Sequence, residues 1–215
     1  RDVRVENHLL GDGDSTVGIT TREYSFPVQY GTDPQGNVLL NAITEEQKQR
    51  FLPRMCDGSF RAAFSLSEPD AGSDTGALRC RAERDGDEWV VNGTKMWVTN
   101  GVRSSLVMLM VRTPDDRITC LLVEKEPGES FEGISVSKKI DKLGYRGLET
   151  VEMSYVDHRV PHGNVLGGEE GIGHGHRYAL SALELGRINV ASRSVGVAQA
   201  AFEAARAEEH TSELQ

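Results

Sequence analysis

The sequence of 215 residues is poor in positive charge and in long apolar runs. Lys and Arg number 24 against 33 Asp and Glu, so the formal net charge is −9. A general nucleic-acid binder needs a basic face, so we expect no nucleic-acid partner. The longest apolar candidate, Leu106–Val111, has the length of a strand, whereas a membrane helix needs ~20 residues. We therefore expect no membrane span.

Cysteine is also scarce. The chain has three cysteines, Cys56, Cys80 and Cys120, which are widely spaced and odd in number. They match neither a metal-binding pair nor a disulfide framework, which favours a reducing compartment and argues against secretion. His174 and His176 stand two residues apart without a third ligand at metal-binding spacing. We predict no metal site and expect these histidines in a solvated loop.

The two ends of the sequence are unusual. The chain begins with Arg1, without a signal-peptide pattern. Its last eight residues, 208–215, resemble the in-frame translation of a common sequencing-library adapter. We therefore expect a non-native tail on a fragment, and the alternative is the frayed acidic end of a helix.

The periodicity predicts helical or irregular structure, then strands, then a long helix. Thr44 and Gln47 have the spacing of a capping box, which begins a helix containing Phe51. From Phe60 the period changes to two, and Asn92-Gly93 between apolar runs predicts a hairpin. The predicted strands are 61–67, 78–83, 88–91, 95–99, 106–111, 118–123, 134–137 and 151–156.

The resulting fold class is α+β, with a central antiparallel β-barrel flanked by helical segments. Glycine-rich turns are expected at 11–15 and 31–37. A helical pattern runs from about Arg177 to Ala207, with Leu180, Leu183 and Ile188 at helical spacing.

The first motif that could bind a ligand is the segment from Phe64 to Asp74. A strand ends there in a loop that contains Pro69, Gly72 and the hydroxyl of Ser73. Backbone N–H groups and small hydroxyls on one side of such a loop suit an anion such as a pyrophosphate. The alternative is an ordinary turn in which Ser73 acts as a cap.

The second motif is the segment from Met96 to Gly101. On a strand, Trp97 and Thr99 would lie on the same face, one flat and apolar, the other able to form hydrogen bonds. Such a face suits a planar heterocycle, because ring stacking contributes ~0.5–1.5 kcal/mol beyond burial. The alternative is a core tryptophan beside a half-buried threonine.

Taken together, these two motifs resemble the acyl-CoA dehydrogenase family. Further matching segments follow in the order of the family: 44–53, 142–144, 160–167 and Leu183-Glu184-Leu185-Gly186-Arg187. The resemblance implies an N-terminal helical domain ending at residue 59, a middle β-barrel at 60–166 and a C-terminal helical bundle beginning at 167–207. Residues 1–43 do not match clearly and are assigned by position alone.

The resemblance also implies the cofactor FAD. Trp97 would cover the flavin ring, Thr99 would bind near its N5 atom, and Ser67 would meet its polar edge. Ser73 would meet the pyrophosphate or a CoA group. The cofactor-binding residues implied in this way are Phe64, Ser65, Leu66, Ser67, Gly72, Ser73, Trp97, Val98 and Thr99.

The implied activity is oxidation of an acyl-CoA thioester to the trans-2-enoyl-CoA, with electrons passed to an electron-transfer flavoprotein. Ser73, Glu184 and Arg187 match substrate positions, although Glu184 and Arg187 also have the spacing of a helical salt bridge. Some members carry the catalytic base where this chain has Gly186, so we expect the base beyond Gln215.

The resemblance further implies a homotetramer in the bacterial cytoplasm or the mitochondrial matrix. The alternatives are an acyl-CoA oxidase or related enzyme that uses oxygen, and a non-catalytic fragment that binds acyl-CoA or flavin.

Overall fold

The structure is a computed structural model that describes residues 43–128, 130–144 and 146–212. The turns predicted at 11–15 and 31–37 lie outside the described residues.

The first described helix, α1 (Glu45–Cys56), begins as the sequence predicts. The hydroxyl of Thr44 accepts a hydrogen bond from the Gln47 amide at 3.2 Å, and the Gln47 side chain accepts one from the Thr44 amide. This capping box satisfies two amides at the helix start. Gln47 also donates to the Val165 carbonyl at 2.7 Å and accepts from the Gly167 amide at 3.0 Å. It therefore fixes α1 to the segment that follows the last strand.

Eight strands form one curled sheet between the helices. Most of their neighbours run antiparallel, which confirms the predicted β-rich centre. The strands are β1 (Ala62–Ser65), β2 (Arg81–Asp85), β3 (Glu88–Thr99), β4 (Leu106–Arg112), β5 (Ile118–Glu124), β6 (Ser130–Phe131), β7 (Ile134–Val136) and β8 (Thr150–Pro161).

The sheet is mixed rather than wholly antiparallel. Its order is β1-β4-β2-β3-β8-β7-β6, and β5 pairs with β4. Strand β1 lies parallel to β4, with Ala62 opposite Leu106, and β2 meets β4 in a short parallel contact. Strand β4 can run parallel to β1 because β2 and β3 lie between them in the sequence and form the crossover that a parallel pair requires.

The hairpin predicted at Asn92-Gly93 is wrong, because both residues lie inside the continuous strand β3. Gly93 has a φ of +145°, and its pairing with β8 is shifted relative to Val91. This is a bulge rather than a turn. The actual two-residue turn is Gly86-Asp87, since Asp85 pairs with Glu88 across it.

Two hydrophobic clusters cover opposite faces of the central strands. Along β4, Val107 and Leu109 enter one cluster while Leu106 and Met110 enter the other. The inner cluster lies within the curled sheet, among β2, β3, β4, β5 and β8. The outer cluster joins β4 and β5 to α1, to the loop after β1 and to the last helix. The loop after β1 is thus packed against the core on one side.

The last helix, α2 (Gly175–Ser212), is longer than the pattern predicts at both ends. Ala179 is buried against the outer cluster, and Tyr178 and Leu183 pack beside it. Glu208–Ser212 continue this helix, and 213–215 lie outside the described residues. Among the described residues, no helix is both long and apolar enough to cross a membrane.

The bulge at Gly93 yields a stability prediction. A Cβ at this position would lie 2.7 Å from the Cα of Cys80, in a backbone conformation that L residues rarely adopt. We expect Gly93→Ala to lower the free energy of unfolding by about 2–4 kcal/mol, measured by urea denaturation.

Gly86→Ala is the matched control, because Gly86 also has a positive φ, +62°, but faces open space. We expect it to cost only about 1–2 kcal/mol. Equal losses in the two variants would show that the contact with Cys80 has no influence on stability.

Candidate functional site

The loop from Leu66 to Ser73 follows β1 directly. Leu66 and Ala71 are buried in the outer cluster, while Ser67 is half-buried and both Gly72 and Ser73 are exposed. The amide of Glu68 donates to the carbonyl of Ala71 at 2.9 Å, and the Ala71 amide donates back at 3.2 Å. The loop is therefore a compact turn with an anchored base and an exposed tip.

The end of β3 contains a second bulge, which presents Trp97. Lys95 pairs with Met153 and Val98 with Val151, so β3 has one more residue than β8 between these pairs. Trp97 has a φ of +62° and is 55% exposed, so the alternative of a core tryptophan is wrong. A large side chain rarely adopts this conformation, and such outliers cluster at functional sites.

Exposure alternates along the three residues of the bulged segment. Trp97 is exposed, Val98 is buried within the inner cluster and Thr99 is half-buried. Val98 thus anchors the segment, and its neighbours on both sides remain accessible. The arrangement puts a flat indole and a hydroxyl near each other at the surface.

Two consecutive residues of β3 bind the loop to this bulge. The amide of Met96 donates to the carbonyl of Ser67 at 2.8 Å. The ammonium of Lys95 donates to the Leu66 carbonyl at 3.0 Å and to the Glu68 carboxylate at 2.8 Å. The structure therefore brings together the two motifs that the sequence analysis singled out.

The Glu68 carboxylate is saturated with hydrogen bonds. It accepts from the amides of Arg79 at 2.6 Å and Cys80 at 2.9 Å, as well as from Lys95. Burial opposes the charge on Glu68, but the Lys95 ammonium and these two amides outweigh it and hold the pKa below its ordinary value of 4.5. Glu68 is therefore ionised at neutral pH. Burial lowers the pKa of Lys95 from its ordinary value of 10.5, and the neighbouring Glu68 carboxylate opposes this shift.

Another buried carboxylate holds the far end of the bulged segment. Glu149 accepts from the Arg103 amide at 3.0 Å and pairs with the Arg103 guanidinium at 3.1 Å. The amide of Asn100 donates to the Glu149 carbonyl at 3.2 Å. Glu149 thus fixes the turn that follows Thr99, through its backbone carbonyl and through its carboxylate.

The start of α2 approaches the same loop. His176 lies in the first turn of α2, so the expectation of a solvated loop is wrong for this residue. Its Nε2 is 3.0 Å from the hydroxyl of Thr75, two residues after Ser73. Among the described residues, no group of three or more His, Cys, Asp or Glu side chains could hold a metal ion.

The buried thiols offer no nucleophile. Burial raises the pKa of Cys80 to about 11 and that of Cys120 to about 12, so both remain protonated at neutral pH.

Comparison with known proteins settles the family. A profile described as "Acyl-CoA dehydrogenase, middle domain" matches residues 63–158. A 2-methylacyl-CoA dehydrogenase from Solanum tuberosum is 38% identical over 184 residues, which cover 82% of this chain and 42% of the relative. Through its middle domain, the chain belongs to the acyl-CoA dehydrogenase family.

Solved structures show the same fold. Butyryl-CoA dehydrogenase from Megasphaera elsdenii matches with a TM-score of 0.65 and 34% identity, over 73% of this chain and 40% of that one. An acyl-CoA dehydrogenase from Bacillus anthracis, solved in complex with FAD, matches with a TM-score of 0.61 and 32% identity, over 67% of this chain and 24% of that one. The chain spans about two fifths of the length of its potato relative.

The residues that the acyl-CoA dehydrogenase resemblance assigned to the site differ in accessibility. Ser65 and Val98 are buried, so only their backbone groups could meet a ligand. The carbonyls of Leu66 and Ser67 already accept hydrogen bonds from β3. Glu184 and Arg187 are exposed on α2, and Glu184 lies about 12 Å along the helix axis from His176.

Sequence reasoning missed the pairing of Lys95 with Glu68. One signal is their placement: each charge stands next to a motif, and Lys95 occupies a strand position two residues before Trp97. A second signal is the alternation of buried residues along β3, from Trp89 through Val91 to Lys95, which puts Lys95 on the inward face. The hairpin predicted at Asn92-Gly93 hid this signal, because it divided β3 into two strands.

The ion pair predicts a specific loss of stability in acid. The folded pKa of Glu68 lies below its unfolded value, so between these two values the unfolded state binds more protons than the folded state. The stabilisation by Glu68 is complete above about pH 4.5 and is lost as the pH falls through the folded pKa. Urea denaturation at several pH values from neutral to acid measures how steeply the free energy of unfolding falls with pH.

Glu68→Gln should make the free energy of unfolding less dependent on pH below pH 4.5. Glu88→Gln, which changes a glutamate in a solvent-accessible ion pair, should leave this pH dependence as in the wild type. An unchanged pH dependence in Glu68→Gln would contradict the assigned charge state.

Proposed function

We propose that the protein to which this chain belongs binds FAD between the loop Leu66–Ser73 and the bulge at Trp97, and oxidises an acyl-CoA thioester to the trans-2-enoyl-CoA. The observation that carries the proposal is the hydrogen bond from Met96 to Ser67, which fixes these two segments side by side. The Bacillus anthracis relative was solved with FAD bound.

The residues present fit a flavin. An exposed indole beside an accessible hydroxyl matches a planar, apolar ring with polar edges. In the proposal Trp97 covers the ring, Thr99 forms a hydrogen bond near N5, and the Ser67 hydroxyl meets the polar edge. The exposed tip at Gly72 and Ser73 lies on the side proposed for the pyrophosphate. When bound, the flavin supplies the hydride acceptor.

The substrate side of the site is proposed from Ser73, Glu184 and Arg187. An exposed arginine suits the phosphates of CoA, because its guanidinium is always charged and forms paired hydrogen bonds. Where family members often have a small hydroxyl near the substrate, this chain has Leu148, which is half-buried. We therefore expect contacts with the thioester region to differ at this position.

The proton from the substrate requires a carboxylate that is free to accept it. Glu68 and Glu149, the buried acids next to the bulge, are both occupied by structural hydrogen bonds. The family resemblance places the base beyond Gln215, and we propose on that ground that it is a glutamate outside the 215 residues and that the chain alone does not turn over.

The proposal extends to partners and location. Electrons would pass to an electron-transfer flavoprotein, and the full-length protein would be a homotetramer. The relatives include a mitochondrial protein of Solanum tuberosum and a bacterial one of Bacillus subtilis, and we propose the mitochondrial matrix or the bacterial cytoplasm as the location.

Substitutions at the bulge test the FAD site. In the full-length product of the gene that encodes this chain, Trp97→Ala should raise the Kd for FAD by about 2- to 10-fold, because it removes ring stacking. Thr99→Val should slow flavin reduction. Fluorescence titration and stopped-flow absorbance measure these effects.

Val156→Ala is the control, because Val156 is an exposed apolar residue on β8. If Trp97→Ala and Thr99→Val both keep wild-type flavin affinity and reduction rate, this placement of the flavin is wrong.

A reaction with oxygen separates the proposed dehydrogenase from an oxidase. A saturated acyl-CoA should bleach the flavin anaerobically, and air should then restore it only slowly, whereas an electron-transfer flavoprotein should restore it rapidly. Rapid recovery with stoichiometric peroxide would instead identify an oxidase. A bound flavin that no acyl-CoA bleaches would identify a non-catalytic binding protein.

A further inference from the structure

The buried ion pair Lys95–Glu68 lies at the centre of the candidate site. Lys95 is 0% exposed and Glu68 is 7% exposed, with 2.8 Å between Nζ and Oε1. Lys95 precedes the exposed Trp97 by two residues, and Glu68 follows Ser67 directly. Each partner is therefore adjacent to one of the two segments proposed to bind the flavin.

The hydrogen bonds of the pair connect three parts of the chain: β3, the loop after β1 and the segment 79–80. Lys95 reaches the Leu66 carbonyl, while Glu68 accepts from the amides of Arg79 and Cys80. With the bond from Met96 to Ser67, two consecutive residues of β3 hold three consecutive residues of the loop. These hydrogen bonds fix which residue of the loop lies beside which residue of β3.

Stability alone is a poor explanation for this arrangement. Taking two charges out of water is costly, and well-packed apolar residues can replace a buried ion pair without loss of stability. The chain has two apolar clusters on either side of the pair. What apolar side chains cannot provide is direction, because only hydrogen bonds fix a distance and an angle at once.

The orientation that these hydrogen bonds impose on β3 matters for Trp97. Its φ of +62° is unfavourable, so neighbouring bonds must hold the backbone in this conformation. On one side Val98 is packed in the inner cluster, and on the other side Lys95 is bound to the loop. Release of Lys95 would free the bulge to relax and would move the indole relative to Ser67.

We propose that Lys95 and Glu68 form a positioning pair, which sets the distance between the loop Leu66–Ser73 and the Trp97 ring and thereby shapes the flavin site. The inference rests on the proposed function, since it names what positions the cofactor there. Neither side chain needs to touch the flavin.

The test is a double variant, Glu68→Gln with Lys95→Met, in the full-length protein. Each single variant leaves one buried charge without its counter-charge and should be less stable, whereas the double variant removes both charges and should recover part of that loss. We expect it to bind FAD about tenfold more weakly, an effect as large as loss of the Trp97 stacking itself. Its flavin absorption spectrum should shift as well.

Circular dichroism gives the folded fraction of each variant. The affinity for FAD is then compared at a temperature at which every variant is folded, so a weaker affinity reports positioning rather than stability. Arg159→Gln is the matched control. It breaks the exposed ion pairs of Arg159 with Glu88 of β3 and with Asp85, remote from the bulge, and should leave affinity and spectrum unchanged.

The outcomes distinguish the two proposals. A double variant with wild-type FAD affinity and spectrum overturns the positioning role while the proposed function stands. A wild-type protein without FAD affinity overturns the proposed function, and the positioning role with it. If the double variant does not fold, Glu68→Asp replaces it, because the shorter carboxylate keeps the charge but cannot reach all three donors. Wild-type affinity and spectrum in Glu68→Asp would equally overturn the positioning role.

Discussion

The hydrogen-bonded charge pair of Lys95 and Glu68 determines how the two halves of the site meet. One side of the site belongs to a loop that packs against the outer cluster, and the other belongs to a strand whose inward side chains fill the inner cluster. Apolar packing holds each half to its own cluster but sets no register between them. The directional bonds from Lys95 and Met96 supply that register.

The surrounding scaffold keeps this junction rigid. Gln47 ties α1 to the segment after β8, and Glu149 fixes the turn that follows Thr99. The accessible groups, Ser73 and Trp97, lie on elements whose bases are buried. This is the arrangement that a ligand site requires, because exposed groups hold a geometry only when their supports cannot move.

Much of the fold could be predicted from the sequence where local chemistry decides it. The capping box at Thr44 and Gln47 is local, and the structure confirms it. The hairpin predicted at Asn92-Gly93 is wrong because a glycine that is needed for close approach to Cys80 has the same sequence signature as a hairpin turn. The two motifs of the site were recognisable as residues, but the exposure of Trp97 depends on a bulge defined by its pairing with β8, which no local pattern reveals.

The long helix α2 packs against the rest of the described chain near its start. Its described buried and half-buried residues lie between Gly175 and Gly186, and every side chain from Arg187 to Arg206 is exposed. Gly175 presses against the backbone of Thr119 and Cys120, where a Cβ would lie 2.5 Å from main-chain atoms. The close contact at Gly175 therefore fixes where α2 begins relative to β5, and with it the direction in which the rest of the helix runs.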